Sequence, residues 1–77
     1  MRRMEELEAE LREQSANVGQ VVGMVVRPDD HVAAFHLFGR NGMEEAERWA
    51  NDVRTFWTPQ VFKDGGAPVI MRLEPFR

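Results

Sequence analysis

Two apolar runs lying close together constrain this chain more than anything else in it. "VGQVVGMVV", Val18 to Val26, and "HVAAFHLF", His31 to Phe38, are separated only by "RPDD". β-Branched and aromatic residues dominate both runs, which predicts two strands. Alternate side chains of a strand face opposite ways. Val18, Val22, Met24 and Val26 fall on one face of the first run, with Val21 and Val25 on the other. In the second, Ala33, Phe35 and Leu37 share one face and Val32, Ala34 and Phe38 share the other. Both strands therefore need cover front and back, and the second is expected in the middle of a sheet. "RPDD" supplies the turn, with Pro28 preset for the first central position and Asp29 or Asp30 able to bond the local backbone.

The cover must come from helices. "GRNG" closes the second strand, and Asn41, followed three residues later by Glu44, reads as a capping-box variant. It opens a helix over residues 43 to 57 with Glu44, Glu45 and Glu47 near its amino-terminal end. At helical spacing Phe56, Trp49, Val53, Ala46, Trp57, Ala50 and Met43 fall within an arc of roughly 140°. Trp57 sits near the middle of that stripe and is expected in the core. Trp49 sits at its edge, near Glu45 and Asp52, and is the ring expected to meet another surface. Pro59 is expected to stop the helix.

One helix covers one face, so the opposite face needs a lid. Residues 2 to 14 are good helix formers, with Met4, Leu7 and Leu11 spaced as a narrow apolar seam. The seam spans about two heptads, too few for a self-sufficient coiled coil, so this helix must lie on a partner surface. The lid is then either this helix, laid on its own sheet, or the matching sheet and helix of a second copy, with the helix free to contact another subunit. The tail offers a short strand at Gln60 to Lys63, a turn at "DGG" and a strand from Val69 to Leu73. The expected fold is α+β, in the order α-β-β-α-β-β. It has a small, mainly antiparallel sheet of three or four strands with one amphipathic helix on a face, preceded by an amino-terminal helix. Residues 1–77 read as a single domain, with 1–14 as the helix and candidate dimerisation element and 18–77 as a ββαββ core.

Size limits what such a core can do alone. A chain of 77 residues buries only about 60% of its unfolded surface. There is no cysteine, which removes disulfides, thiolate metal sites and cysteine nucleophiles and leaves packing or self-association to stabilise the fold. The opening "MRRMEELEAE" turns acidic where a secretory leader would turn apolar, and no run approaches membrane-spanning length. The expected address is the cytoplasm. A net charge of −3 gives no general attraction for nucleic acid, and the arginines are scattered among acids. Lys63 is the only lysine against nine arginines, a usage in keeping with a GC-rich bacterial or phage genome.

The residues that could carry chemistry do not assemble into a motif. His31 and His36 are five apart on one strand, which sends them to opposite faces and away from a shared metal ion. His36 is expected as a hydrogen-bonded core residue and His31 as the solvated start of the strand. Arg40, Asn41 and Gly42 precede a helix and form a weak candidate anion site, opposed by the glutamates that follow. Ser15 is the only serine and has no evident base beside it. No catalytic residue, cofactor or metal is nominated. Two functions remain from different classes. One is a non-catalytic interaction module acting as a homodimer, or on a host or cellular protein, through Met4, Leu7, Leu11 and Trp49. The other is a small-molecule-binding domain with a pocket between the sheet and the Trp-bearing helix, walled by Trp49, Phe35 and Met24.

Overall fold

The fold is seen in a computed structural model that describes residues 2–61, 63 and 65–74. Helix α1, Met4–Glu13, is followed by a tight turn at Ser15–Asn17 and strand β1, Val21–Val26. Strand β2, Val32–Gly39, leads to helix α2, Met43–Asp52. The helical path then widens into a π turn at Val53–Trp57, adds a last α turn at Thr58–Val61, and returns as strand β3, Ala67–Arg72. The three strands form one antiparallel sheet in the order β2-β1-β3.

The central strand is β1, and its composition explains the place. Val21, Val22, Gly23, Met24 and Val25 are all buried, so both faces are dry. On one face Val22 and Met24 join Leu7, Val32 and Leu73 in a core cluster, with Met4, Leu11, Val26, Leu37 and Met71 packed around it. Helix α1 is therefore the lid of its own sheet. The other face carries Val21 and Val25, and α2 presses Ala46 and Ala50 onto that side, continued by Val53 of the π turn. The chain is a three-layer sandwich, helix on sheet on helix.

Two local devices hold the ends of α1 in place, and ion pairs along the helix support it. The backbone N–H of Met4 donates to the Asp30 carbonyl at 3.0 Å, and that of Val32 donates to the Arg2 carbonyl at 2.8 Å. Arg3 and His31 thereby form a single antiparallel bridge on the outer edge of β2. At the other end the buried Asn17 donates from Nδ2 to the Leu11 carbonyl at 3.0 Å, adding a shorter bond to the one that carbonyl accepts from the Gln14 N–H at 3.4 Å. Ion pairs Arg2–Glu10 and Arg12–Glu8 lie along the helix, the second at the favourable i, i+4 spacing.

The β1–β2 connection is a three-residue hairpin loop. The N–H of Asp30 donates to the Arg27 carbonyl at 2.9 Å, and the N–H of Arg27 donates to His31 at 2.8 Å. Asp30 takes a left-handed φ of 70°, the conformation that closes a turn of this length with a bulge.

Several expectations are corrected. The second strand, β2, is an edge strand and not a central one, and Ala34, Phe35 and His36 in its middle are exposed. Val32 faces α1 together with Phe35's side of the strand, because the β1–β2 register skips a residue between Val25 and Val26 and inverts the alternation there. The first strand begins at Val21, its approach from Val18 being a turn. Gln60 and Val61 are helical, so the sheet has three strands; Phe62, within the expected fourth strand, and Asp64, in the expected turn, lie outside the described residues. The cap of α2 is Gly42, with no side-chain cap bond, so Asn41 and Glu44 do not form a capping box.

Candidate interaction surface

Position in the fold separates the two tryptophans. Trp49 is half-buried and lies over β1, where the strand carries Gly23 in place of a side chain. A Cβ on Gly23 would stand 2.5 Å from Trp49 Cζ3 and 2.9 Å from Phe38 Cε2, so only glycine lets the indole down onto the sheet. Phe38 completes the seat, its ring 5.6 Å from Trp49 and tilted by 60°. The expected roles of the two rings are thus exchanged, for Trp57 is 56% exposed. The cause is the π turn. One extra residue in that turn rotates whatever follows by about 100° relative to a continuous α-helix, carrying Phe56 and Trp57 off the buried stripe.

Proline chemistry accounts for the turn itself. Pro59 has no N–H to give and does not end the helix; the widened turn precedes it, and it lies within the last α turn, Thr58–Val61.

Trp57 and Val61 overhang an open apolar cleft of about 350 Å³, floored by Val25 and Ala34 and walled by Trp49 and Val53. The opposite face of β2 has a smaller cleft of about 190 Å³, lined by Arg2, Leu7, Val32, Ala33, Ala34 and Phe35. Ala34 belongs to both, so the two clefts meet at the outer edge of β2. Of the exposed large apolar side chains, Trp57 and Val61, each 56% exposed, border the larger cleft and Phe35, at 48%, the smaller, while Phe56 and Met43 line neither. Helix α2 lies nearer to β1 and β3 than to β2, which is why the face of β2 beneath the overhang stays bare.

The residues named from sequence are dispersed. Met4, Leu7 and Leu11 lie against the sheet within the chain, Leu7 being almost wholly buried. Trp49 reaches the large cleft from its inner wall. Phe35 and Met24 do not share a pocket with it, since both project to the α1 side, where they are cross-strand partners. Sequence reasoning missed Ala34, Trp57 and Val61 as a group; the signal available was Pro59, whose missing N–H marks a disturbed helix just after the aromatic pair.

The chemistry-bearing side chains do not converge. His36 is exposed and rests edge-on against Phe38 at 4.7 Å, not in the core as its apolar neighbours implied. His31, half-buried, turns Nδ1 to Asp29 Oδ2 at 3.2 Å and donates its backbone N–H to Asp29 Oδ1 at 3.2 Å. That backbone N–H is the main influence holding the Asp29 carboxyl below its ordinary range, helped by the His31 ring and the Arg27 guanidinium. Arg40 spends its Nε on the Val18 carbonyl at 3.3 Å, and Arg72 donates to the carbonyls of Gly19 and Arg40 at 2.9 and 3.0 Å. Arg40, Asn41 and Gly42 thus serve a turn tied to the start of β1. Among the described residues no three His, Cys, Asp or Glu side chains are grouped to hold a metal ion, and no helix is long and apolar enough to cross a membrane.

Compared with protein-family models, curated proteins and solved structures, the chain matches none.

Proposed function

We propose that this chain is a small non-catalytic interaction module that works as a homodimer. The observation that carries this reading is the pair of apolar clefts that share Ala34 at the outer edge of β2, with Phe35 exposed beside one and Trp57 and Val61 exposed beside the other. Large apolar side chains left in water at one place mark a contact surface more often than an accident of folding. A sandwich of this size gains most from covering them, because its own core is small. The test is solution mass by light scattering over a concentration series from nanomolar to high micromolar. The mass of two chains, falling to one on dilution, is the expected result; one chain throughout overturns the reading.

A second reading rests on the cleft beneath Trp57. Its volume of about 350 Å³ and apolar walls suit a small, flat, apolar ligand. Such a ligand would blue-shift the Trp57 emission and raise the melting temperature, and a metabolite screen that moves neither would dismiss it.

A further inference from the structure

The homodimer reading leaves open which surface the two copies share, and the structure carries that question further. We infer that two copies pair through the outer edge of β2, antiparallel to each other, to give one continuous six-stranded sheet.

The edge is unusually open to such pairing. From Ala33 to Phe38 no backbone–backbone bond runs to the outer side of β2 among the described residues, and the strand Val32–Gly39 contains no Pro, Asp, Glu, Lys or Arg. Proteins normally blunt an exposed edge with a proline or a charge. The opposite edge shows the contrast: β3 carries Pro68 and Arg72. The register irregularities of β2 fall at its two ends, leaving Ala34 to Leu37 in regular pairing with β1. Arg2 to Met4 already occupy the edge at Asp30 and Val32, so an incoming strand must lie over the middle and far end.

The occupant that fits is a second copy. Antiparallel pairing of a strand with itself is isologous, its two-fold axis standing perpendicular to the sheet, so both copies keep α1 on one side and α2 on the other. The paired segment holds no Asp, Glu, Lys or Arg, so no fixed like charges are set opposite each other. The clefts on the two faces share Ala34, and closing both needs a neighbour with a layer above and a layer below its strand. A second copy brings Phe35 to one cleft and Trp57 to the other. A lone extended peptide brings neither layer.

This inference rests on the homodimer reading, and the experiment separates the two. An equal mixture of isotope-labelled and unlabelled chains is examined by filtered NOE spectroscopy at a concentration where light scattering gives the mass of two chains. Intermolecular Hα–Hα contacts within residues 33 to 38 are expected. A two-chain mass with intermolecular contacts only elsewhere, such as at α1, overturns the β2 interface and leaves the homodimer standing; a one-chain mass overturns both. As a second arm, Phe35→Lys and Phe35→Glu chains, made separately, should each dissociate more than about tenfold more readily, with far-ultraviolet circular dichroism unchanged. Their equal mixture should recover the two-chain mass. Variants that assemble as well as the parent chain overturn the interface, and if they fail to fold, the labelled parent chain still decides.

Discussion

Gly23 lies directly beneath the indole of Trp49, and no other residue fits there, since a Cβ would stand 2.5 Å from the ring. The contact joins the central strand to the helix above it at its closest approach. Gly23→Ala should therefore destabilise the fold by about 1–3 kcal/mol through overpacking. Urea titration should show a lower midpoint with an unchanged slope, and an undiminished midpoint would mean that the ring can swing aside at no cost.

The two tryptophans should separate sharply on truncation. Trp49→Ala removes a ring seated on Gly23 and Phe38 and should cost about 3–5 kcal/mol. Trp57→Ala, at a position 56% exposed in the protomer, should cost about 1 kcal/mol or less at concentrations where a single chain prevails. Denaturant melts of both variants at nanomolar concentration, followed by fluorescence of the remaining tryptophan, check this. The reverse ranking would restore the order expected from an uninterrupted helix.

Leu7 offers a test of where the α1 seam is spent. It is 4% exposed and sits in the same cluster as Met24 and Leu73, so Leu7→Ala should cost about 2–5 kcal/mol. The loss should be the same at every protein concentration, because the contact lies within one chain. A cost that grows with concentration would place the seam between chains.

Asn17→Ala should lower stability by about 1–2 kcal/mol, by removing the side-chain donor to the Leu11 carbonyl at the end of α1. Hydrogen exchange should localise the loss to α1 and the turn after it. A uniform loss across all three strands would show that the lid and the sheet unfold as one unit.

Asp29 should make the hairpin loop sensitive to acid. Its carboxyl is held below the ordinary value in the fold by the His31 N–H. The stabilisation is accordingly present above the unfolded pKa of about 4 and lost as pH falls through the lower folded value. Asp29→Ala should melt below the parent chain at pH 7, and the gap should close progressively below about pH 4. A gap that persists unchanged to pH 2 would show that the charge contributes nothing.

Much of the sandwich was legible in the sequence. Val21, Val22, Met24 and Val25 read as dry on both faces, and that pattern called for a second cover opposite α2, left open between the helix of Met4, Leu7 and Leu11 and a second copy; the fold uses the helix. What escaped detection were single-residue insertions in regular structure. The skip in β2 beside Ala33 reverses which face Val32 takes, and the π turn before Pro59 swings Trp57 outward. A wheel or an alternation drawn at constant period has no place for either, and neither alters composition. Strand order escaped for another reason. The runs of β1 and β2 are equally apolar, and the feature that distinguishes them is Gly23, a gap cut for a ring from another element. Burial of the two rings was misread on the same ground: Trp57, expected in the core, is 56% exposed, and Trp49, expected at the outer edge, is half-buried over Gly23.

Leu7 and Leu73 lie at opposite ends of the described chain yet close the same cluster. The two flanks of the sheet are thus tied through one shared patch of side chains, so that neither α1 nor the segment around Leu73 can peel away without opening the packing that the other completes.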